Sequence, residues 1–203
     1  MSTILVLTSS ALGTASVSSQ LVQDAIGRLR LKDPDIHIIT RDLGGNPIPH
    51  LTVESATALR GAEPGNAEQA TVRALSDELI AEIKAADTLV IGAPMYNFGI
   101  PSTLKVWFDY VLRAGITFKY SESGSVGLLK GRRAIVIESR GGLYSEGPAK
   151  MMDSQEPHLR NLLGFIGITD ITFVRAEKLA FGIEARERAI DAARAELAEA
   201  IAG

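Results

Sequence analysis

The chain has 203 residues, 46% of them apolar and 22% charged, with a formal net charge of −3 and no cysteine. That length suits a single domain, residues 1–203, with a core large enough to need no staple, and the missing cysteines exclude disulfides, thiolate metal sites and Cys nucleophiles. No basic patch marks a nucleic-acid surface, no run approaches the roughly 18 apolar residues of a membrane span, and Met1 leads into the first apolar run without a basic or long apolar leader, so a cytoplasmic protein is expected.

Short Val- and Ile-rich runs alternate with longer amphipathic segments, the pattern of a parallel sheet with helices on both faces. Thr3–Thr8 reads as the first strand. A Ser/Gly/Thr loop follows, then a helix from about Ser16 to Leu31 with Leu21, Val22, Ala25, Ile26 and Leu29 at helical spacing. Asp35–Arg41 is the second strand. Residues 42–66 are rich in Gly, Pro and Thr without clear periodicity, a connection long enough to suggest function. A helix is expected over 67–85, a third strand over Thr88–Ala93, and a helix opening at Pro101. Leu104, Phe108, Val111 and Leu112 form one stripe of that helix. Val106, Trp107 and Tyr110 form a second apolar surface that needs a cover. Ile116–Lys130 is an excursion with a hairpin near Ser123-Gly124. Arg133–Glu138 is the fourth strand, 139–149 a loop, Met152–Phe165 a helix, Thr169–Val174 the fifth strand and Glu184–Ile201 the last helix.

Three loops carry chemistry. Ser9 to Ser19 joins a strand to a helix and holds up to six hydroxyls but no Lys or Arg. Such a loop can solvate a phosphate by hydrogen bonds at a helix N-terminus. It is neither G-x-G-x-x-G nor a Walker loop, and an ordinary N-cap region is an equal alternative. Ala93 to Pro101 follows the third strand and places Tyr96 and Phe98 between two prolines. Aromatics exposed there call for a flat ligand, unless they join the core. Glu138 to Tyr144 follows the fourth strand, and its Gly141-Gly142 pair lets amides approach a ligand or simply makes a tight turn. Together the loops offer a phosphate cradle, a flat apolar wall and amide donors, the three needs of FMN.

On these segments, and on Pro47-Ile48-Pro49, Ala114 to Tyr120 and Leu163 to Ile168, the chain resembles the FMN-dependent NADH-azoreductases of the flavodoxin-like quinone reductase group over nearly its whole length. The resemblance implies a flavodoxin-like three-layer α/β sandwich with a five-stranded parallel sheet in the order 2-1-3-4-5. It implies FMN phosphate contacts at Ser10, Ser16, Val17 and Ser18, and ring contacts at Met95, Tyr96, Asn97, Phe98, Ser139, Arg140, Gly141 and Gly142. The stretch around Ser19 departs from the family, where an amide side chain often stands. Homodimers with FMN at the subunit junction are implied, as is ping-pong transfer from NADH or NADPH to quinones and azo compounds, with no catalytic side chain and no metal. Phe118, Tyr120, Tyr144 and Phe165 are candidates for the acceptor pocket, partly across the subunit junction, and Arg60 for the dinucleotide phosphates. His37, His50 and His158 are scattered without ligand spacing. An electron-carrying flavodoxin, a flavin-free module of the same fold and a related FMN-dependent reductase with another acceptor are the alternatives.

Overall fold

The computed structural model describes residues 2–61 and 63–202. In chain order the elements are β1 (Thr3–Thr8), α1 (Val17–Lys32), β2 (His37–Asp42), α2 (Val53–Arg60), α3 (Ala67–Ala85), β3 (Thr88–Pro94), α4 (Ser102–Val111), the hairpin strands β4 (Phe118–Ser121) and β5 (Gly124–Gly127), β6 (Arg133–Ser139), α5 (Glu156–Phe165), β7 (Asp170–Ala176) and α6 (Ile183–Ala202). Five strands pair in parallel in the order β2-β1-β3-β6-β7, which is 2-1-3-4-5 when only sheet strands are counted. This is the flavodoxin-like arrangement the resemblance implies.

The period of two along each strand sorts its side chains between two cores. Leu5, Leu7, Leu89, Ile91, Ala134 and Val136 join residues of α3, α4 and α5 on one face. Ile4, Val6, Val90, Ile135 and Ile137 join α1 and α6 on the other. Each fully buried side chain of this size contributes about 1.5–3 kcal/mol, so the sheet is anchored on both faces. Its carboxyl edge is left free to carry loops.

Two elements differ from the sequence expectation. The stretch 42–66 is not structureless, because α2 lies inside it. Thr52 caps that helix: its Oγ1 accepts the Ser55 amide at 3.1 Å, and the Thr52 amide donates back to Ser55 Oγ at 2.6 Å. With eight residues and only Ser55 and Ala58 buried, α2 has too few turns to display a period. Its Leu59 packs on the core that holds Trp107 and Tyr110, so the second apolar surface of α4 is covered. The helix expected from Met152 starts at Glu156 instead. Residues 148–152 form a 3-10 turn, and Asp153 Oδ1 then accepts the Gln155 and Glu156 amides at 2.8 and 3.1 Å, which sets the new start. The hairpin forms as expected and docks on the α5–β7 turn. The backbones of Gly127 and Gly167 touch there, so closely that a Cβ at Gly127 would sit 2.1 Å from the Gly167 nitrogen.

Candidate functional site

Parallel strand order reverses between β1 and β3, and ligands of open α/β sheets settle at the carboxyl ends of such a pair. Here the two loops that leave these ends are joined. The Tyr96 hydroxyl accepts the Ala11 amide at 3.0 Å and lies 3.1 Å from Ser10 Oγ, which itself accepts the Leu12 amide at 3.1 Å. The third loop joins the second where the Met95 amide donates to the Ser139 carbonyl at 2.9 Å. The three sequence-predicted loops thus meet at the carboxyl edge of the sheet, where the reversal of strand order opens a crevice in this kind of fold.

The six hydroxyls of the first loop divide by role. Ser9 is buried and donates to the Gly92 carbonyl at 2.7 Å, so it holds the loop to β3 rather than facing a ligand. Ser16 occupies the N-cap position of α1, yet its side chain caps no amide. Its Oγ pairs with Ser18 Oγ at 2.9 Å. That pair needs only one of its two protons. The first-turn amides of Val17, Ser18 and Ser19 have no intrahelical acceptor by the geometry of a helix start. Donors are therefore gathered at the positive end of the helix dipole, an arrangement suited to a phosphate dianion.

The second loop is strained. Tyr96 and Gly99 exchange both backbone hydrogen bonds, at 3.0 and 3.1 Å, and close a tight turn. Its two central residues, Asn97 and Phe98, have φ of 48° and 73°. Asn tolerates that region, whereas Phe seldom adopts it, at a cost of order 1 kcal/mol or more. The Ser154 amide holds the Phe98 carbonyl at 2.9 Å and keeps the turn in place. The strained turn keeps the Tyr96 and Phe98 rings at the surface, 36% and 40% exposed, as a flat apolar wall.

In the third loop the carbonyls of Arg140, Gly141 and Gly142 accept the amides of Leu179, Ala180 and Lys178. The amides of Gly141 and Gly142 donate to no group among the described residues. Neither glycine has a positive φ, and a Cβ at Gly141 would meet only Ala180 Cβ, at an ordinary 3.7 Å. Nothing inside the chain therefore requires glycine at 141. The open space beside Gly141 can admit a ligand, and with the cradle and the wall the residues fit FMN.

Val17 turns its side chain into the core under α1, and Arg140 turns its own away from the crevice as well. It is fully buried, and its guanidinium bonds Glu138, Gln155 and Glu177 inside the protein. Its amide is also taken, donating to the Ala176 carbonyl at 2.9 Å. The physical reason is the density of acceptors beneath the loop, which an always-charged side chain cannot leave unpaired. Burial pushes the Glu138 carboxyl up to about 7, although Arg140 and Arg175 oppose it. Glu177 moves the other way: burial raises it, but bonds from the Ser145 hydroxyl, the Tyr144 amide and Arg140 outweigh that and hold it below the usual carboxylate range.

The four acceptor-pocket candidates separate into two groups. Tyr144 packs edge-on against Phe98, 6.0 Å between ring centres, and joins the crevice. Phe118 instead packs against Tyr120 and Phe165, at 5.5 and 4.5 Å. These three rings line a cavity of about 530 Å³ together with Leu51, Leu59 and Arg60. Asp153, Gln155 and Glu177 escaped the sequence reading. They lie far along the chain from the loops they support, and nothing in their local sequence sets them apart from surface polar residues.

A family model described as flavodoxin-like fold matches residues 2–201. An FMN-dependent NADH:quinone oxidoreductase of Hyphomonas neptunium is 56% identical, across 98% of this chain and 95% of that protein. A second, from Pseudomonas fluorescens, is 48% identical across 98% and 99%. Among solved structures, an azoreductase from Bacillus anthracis superposes with a TM-score of 0.91 at 28% identity, covering 99% of both chains. An FMN-dependent NADH-azoreductase of the same species, solved in complex with FMN, superposes with a TM-score of 0.90 at 30% identity, covering 100% of this chain and 98% of that one.

Proposed function

The chain belongs to the flavodoxin-like family of FMN-dependent NADH:quinone oxidoreductases and azoreductases, and from that premise we propose that it binds FMN in the crevice between its β1, β3 and β6 loops and passes electrons from NADH to quinones and aromatic azo compounds. The observation that carries this reading is the meeting of three chemically distinct loops at the reversal of strand order, through Tyr96 on Ala11 and Ser10 and through Met95 on Ser139.

Bound FMN supplies two-electron exchange in two half-reactions, first with the dinucleotide and then with the acceptor. The chain's own part is to bind, orient and exclude. Ser16, Ser18 and the amides of Val17 to Ser19 hold the phosphate, with Ser10 fixing the loop before them. Met95, Tyr96, Asn97 and Phe98 form the wall beside the ring. The amides of Gly141 and Gly142, which donate to no group among the described residues, would hold the flavin ring, and donors held ready there would stabilise its reduced form. Ser139 and Arg140 serve through their backbone and position, not through side-chain contact. No side chain is asked to be a nucleophile or to hold a metal.

Two copies of the chain complete the pocket in this proposal. Phe118, Tyr120 and Phe165 sit apart from the crevice of their own chain, around a cavity that exposed Leu51 also lines. A homodimer that sets this aromatic cluster over the partner's crevice gives a flat acceptor a second wall. Arg60, which lines the same cavity, meets a dinucleotide phosphate in that arrangement.

Stopped-flow spectroscopy of the FMN-loaded protein tests the reading. NADH should bleach the flavin absorbance in one phase, and a quinone or azo dye should restore it in a second, separable phase. Uptake of FMN without bleaching would overturn the enzyme reading and leave a carrier. No uptake would overturn the crevice itself. Light scattering should give twice the chain mass.

A further inference from the structure

The Arg140 guanidinium lies beneath the crevice, and two of its partners, Gln155 and Glu177, also hold segments of the crevice loops. Nε donates to Gln155 Oε1 at 3.0 Å, Nη2 to Glu138 Oε2 at 2.6 Å and Nη1 to Glu177 Oε1 at 3.2 Å, while Asp153 Oδ2 stands 3.2 Å from Nη2. Gln155 turns its Nε2 to the Ala93 carbonyl at 2.7 Å, three residues before the start of the strained Tyr96–Gly99 turn. Ser154, between Asp153 and Gln155, holds the far side of that turn through the Phe98 carbonyl. Glu177 Oε1 accepts the amides of Tyr144 and Ser145 at 2.8 and 3.0 Å, and Ser145 Oγ donates to its Oε2. Gly141 follows Arg140 directly in the chain.

A buried ion cluster is a weak source of stability, because desolvation of its charges cancels most of their attraction. What it supplies is geometry. A guanidinium is a flat fork of five donors in fixed directions, and it holds several acceptors at set angles as an ammonium cannot. Three segments of two loops hung from one such fork share one reference frame.

We propose that Arg140 is a positioning residue that, acting through Gln155 and Glu177, fixes the spacing of the Ala93–Gly99, Gly141–Gly142 and Tyr144–Ser145 segments and so sets the affinity and reduction potential of bound flavin without touching it. This rests on the FMN reading given above. Misplaced Gly141 and Gly142 amides weaken the hold on reduced flavin more than on oxidised flavin, because charge accumulates opposite them only on reduction.

Glu177 provides the sharpest test, since it sits at the edge of the network and only its carboxylate is shared. Glu177→Ala removes the hold on Tyr144 and Ser145. Glu177→Gln keeps an oxygen for both amides and for Arg140 but removes the charge. FMN dissociation constants from fluorescence titration of apoprotein, and the midpoint potential of each loaded protein, are the readouts. Glu177→Ala should bind oxidised FMN at least tenfold more weakly and favour reduced FMN tenfold less, a fall of about 30 mV for a two-electron couple. Glu177→Gln should stay within about threefold of wild type. Arg140→Lys, which keeps the charge and loses the fork, should behave like Glu177→Ala, and it carries the same test if that variant does not fold. Equal shifts in Glu177→Gln and Glu177→Ala would make the effect one of distant charge and overturn the proposal. So would wild-type affinity and potential in Glu177→Ala and Arg140→Lys. A wild-type protein that takes up no FMN would instead overturn the underlying functional reading.

Discussion

The two ends of the crevice are built by opposite means. The β1–α1 end offers a ligand only neutral groups, serine hydroxyls and helix-start amides, in a loop that contains no Lys or Arg. The β6 end is backed by a buried assembly of Arg140, Glu138, Asp153 and Glu177, with Arg175 and Glu156 beside it, yet presents only glycine amides to the crevice. Charge is thus kept away from the end that would bind a dianion and placed behind the end that would face a redox-active ring. A phosphate needs many weak donors and no change during turnover. A ring that gains charge needs donors that do not move when the charge arrives, and a rigid ionic support beneath them provides that.

That contrast can be broken most strongly at the neutral end. Ser16→Asp places a carboxylate at an N-cap, where the helix itself accepts Asp readily, so apoprotein stability should be unchanged or higher. A phosphate dianion beside that carboxylate is repelled by roughly 4 kcal/mol, about a thousandfold in FMN affinity at low salt. Unaltered affinity would place the phosphate elsewhere. At the ionic end, Glu138 should impose a pH dependence on folding. Its folded pKa of about 7 lies above the usual 4.5, so the folded chain holds an extra proton between those values, and stability drains as pH rises through that window and levels off above it. Glu156 and Glu177, held below the usual range, run the other way and lose stability as pH falls. Glu138→Gln leaves those two in place and should gain about 3 kcal/mol on wild type between pH 5 and pH 8 in urea unfolding. Parallel pH profiles for the two proteins would clear Glu138.

Smaller effects sharpen the contrast further. Gly141→Ala meets only an ordinary contact within the chain, so its thermal midpoint should match wild type to within a degree or two, while FMN affinity falls about tenfold, roughly 1.4 kcal/mol. A matching loss in both measurements would show that the glycine serves the fold. Least of all, raising sodium chloride tenfold should weaken FMN binding less than about threefold, because hydroxyls and amides at the phosphate are screened less than exposed cations. A steep salt dependence, followed by the same fluorescence titration, would reveal a cation at the phosphate.

Much of this was legible in the sequence, and what was hidden was hidden for a reason. Val/Ile runs of six or seven residues and amphipathic stretches of sixteen to twenty declare strands and helices through near-neighbour periodicity, and α3 falls on its expected bounds, Ala67–Ala85. Eight-residue α2 was not legible, because too few of its turns reach the core. The chemistry of the three loops was likewise open to reading, since Ser, Gly and aromatic residues carry the same groups wherever they lie. Where those groups point was not. The family resemblance implies a ligand contact at Arg140, but the direction of its side chain is decided by Gln155 and Glu177, 15 and 37 residues away. Tyr144 and Phe118 looked like members of one pocket, and only the fold assigns the first to Phe98 and the second to Phe165. By itself the sequence determined the element types, the parallel sheet and the kind of ligand its loops suit, all of which depend on residue type and local spacing. Tertiary structure alone decided which side chains face the crevice and which hold it from below, because a charged or aromatic side chain turns toward whichever partners the distant chain delivers.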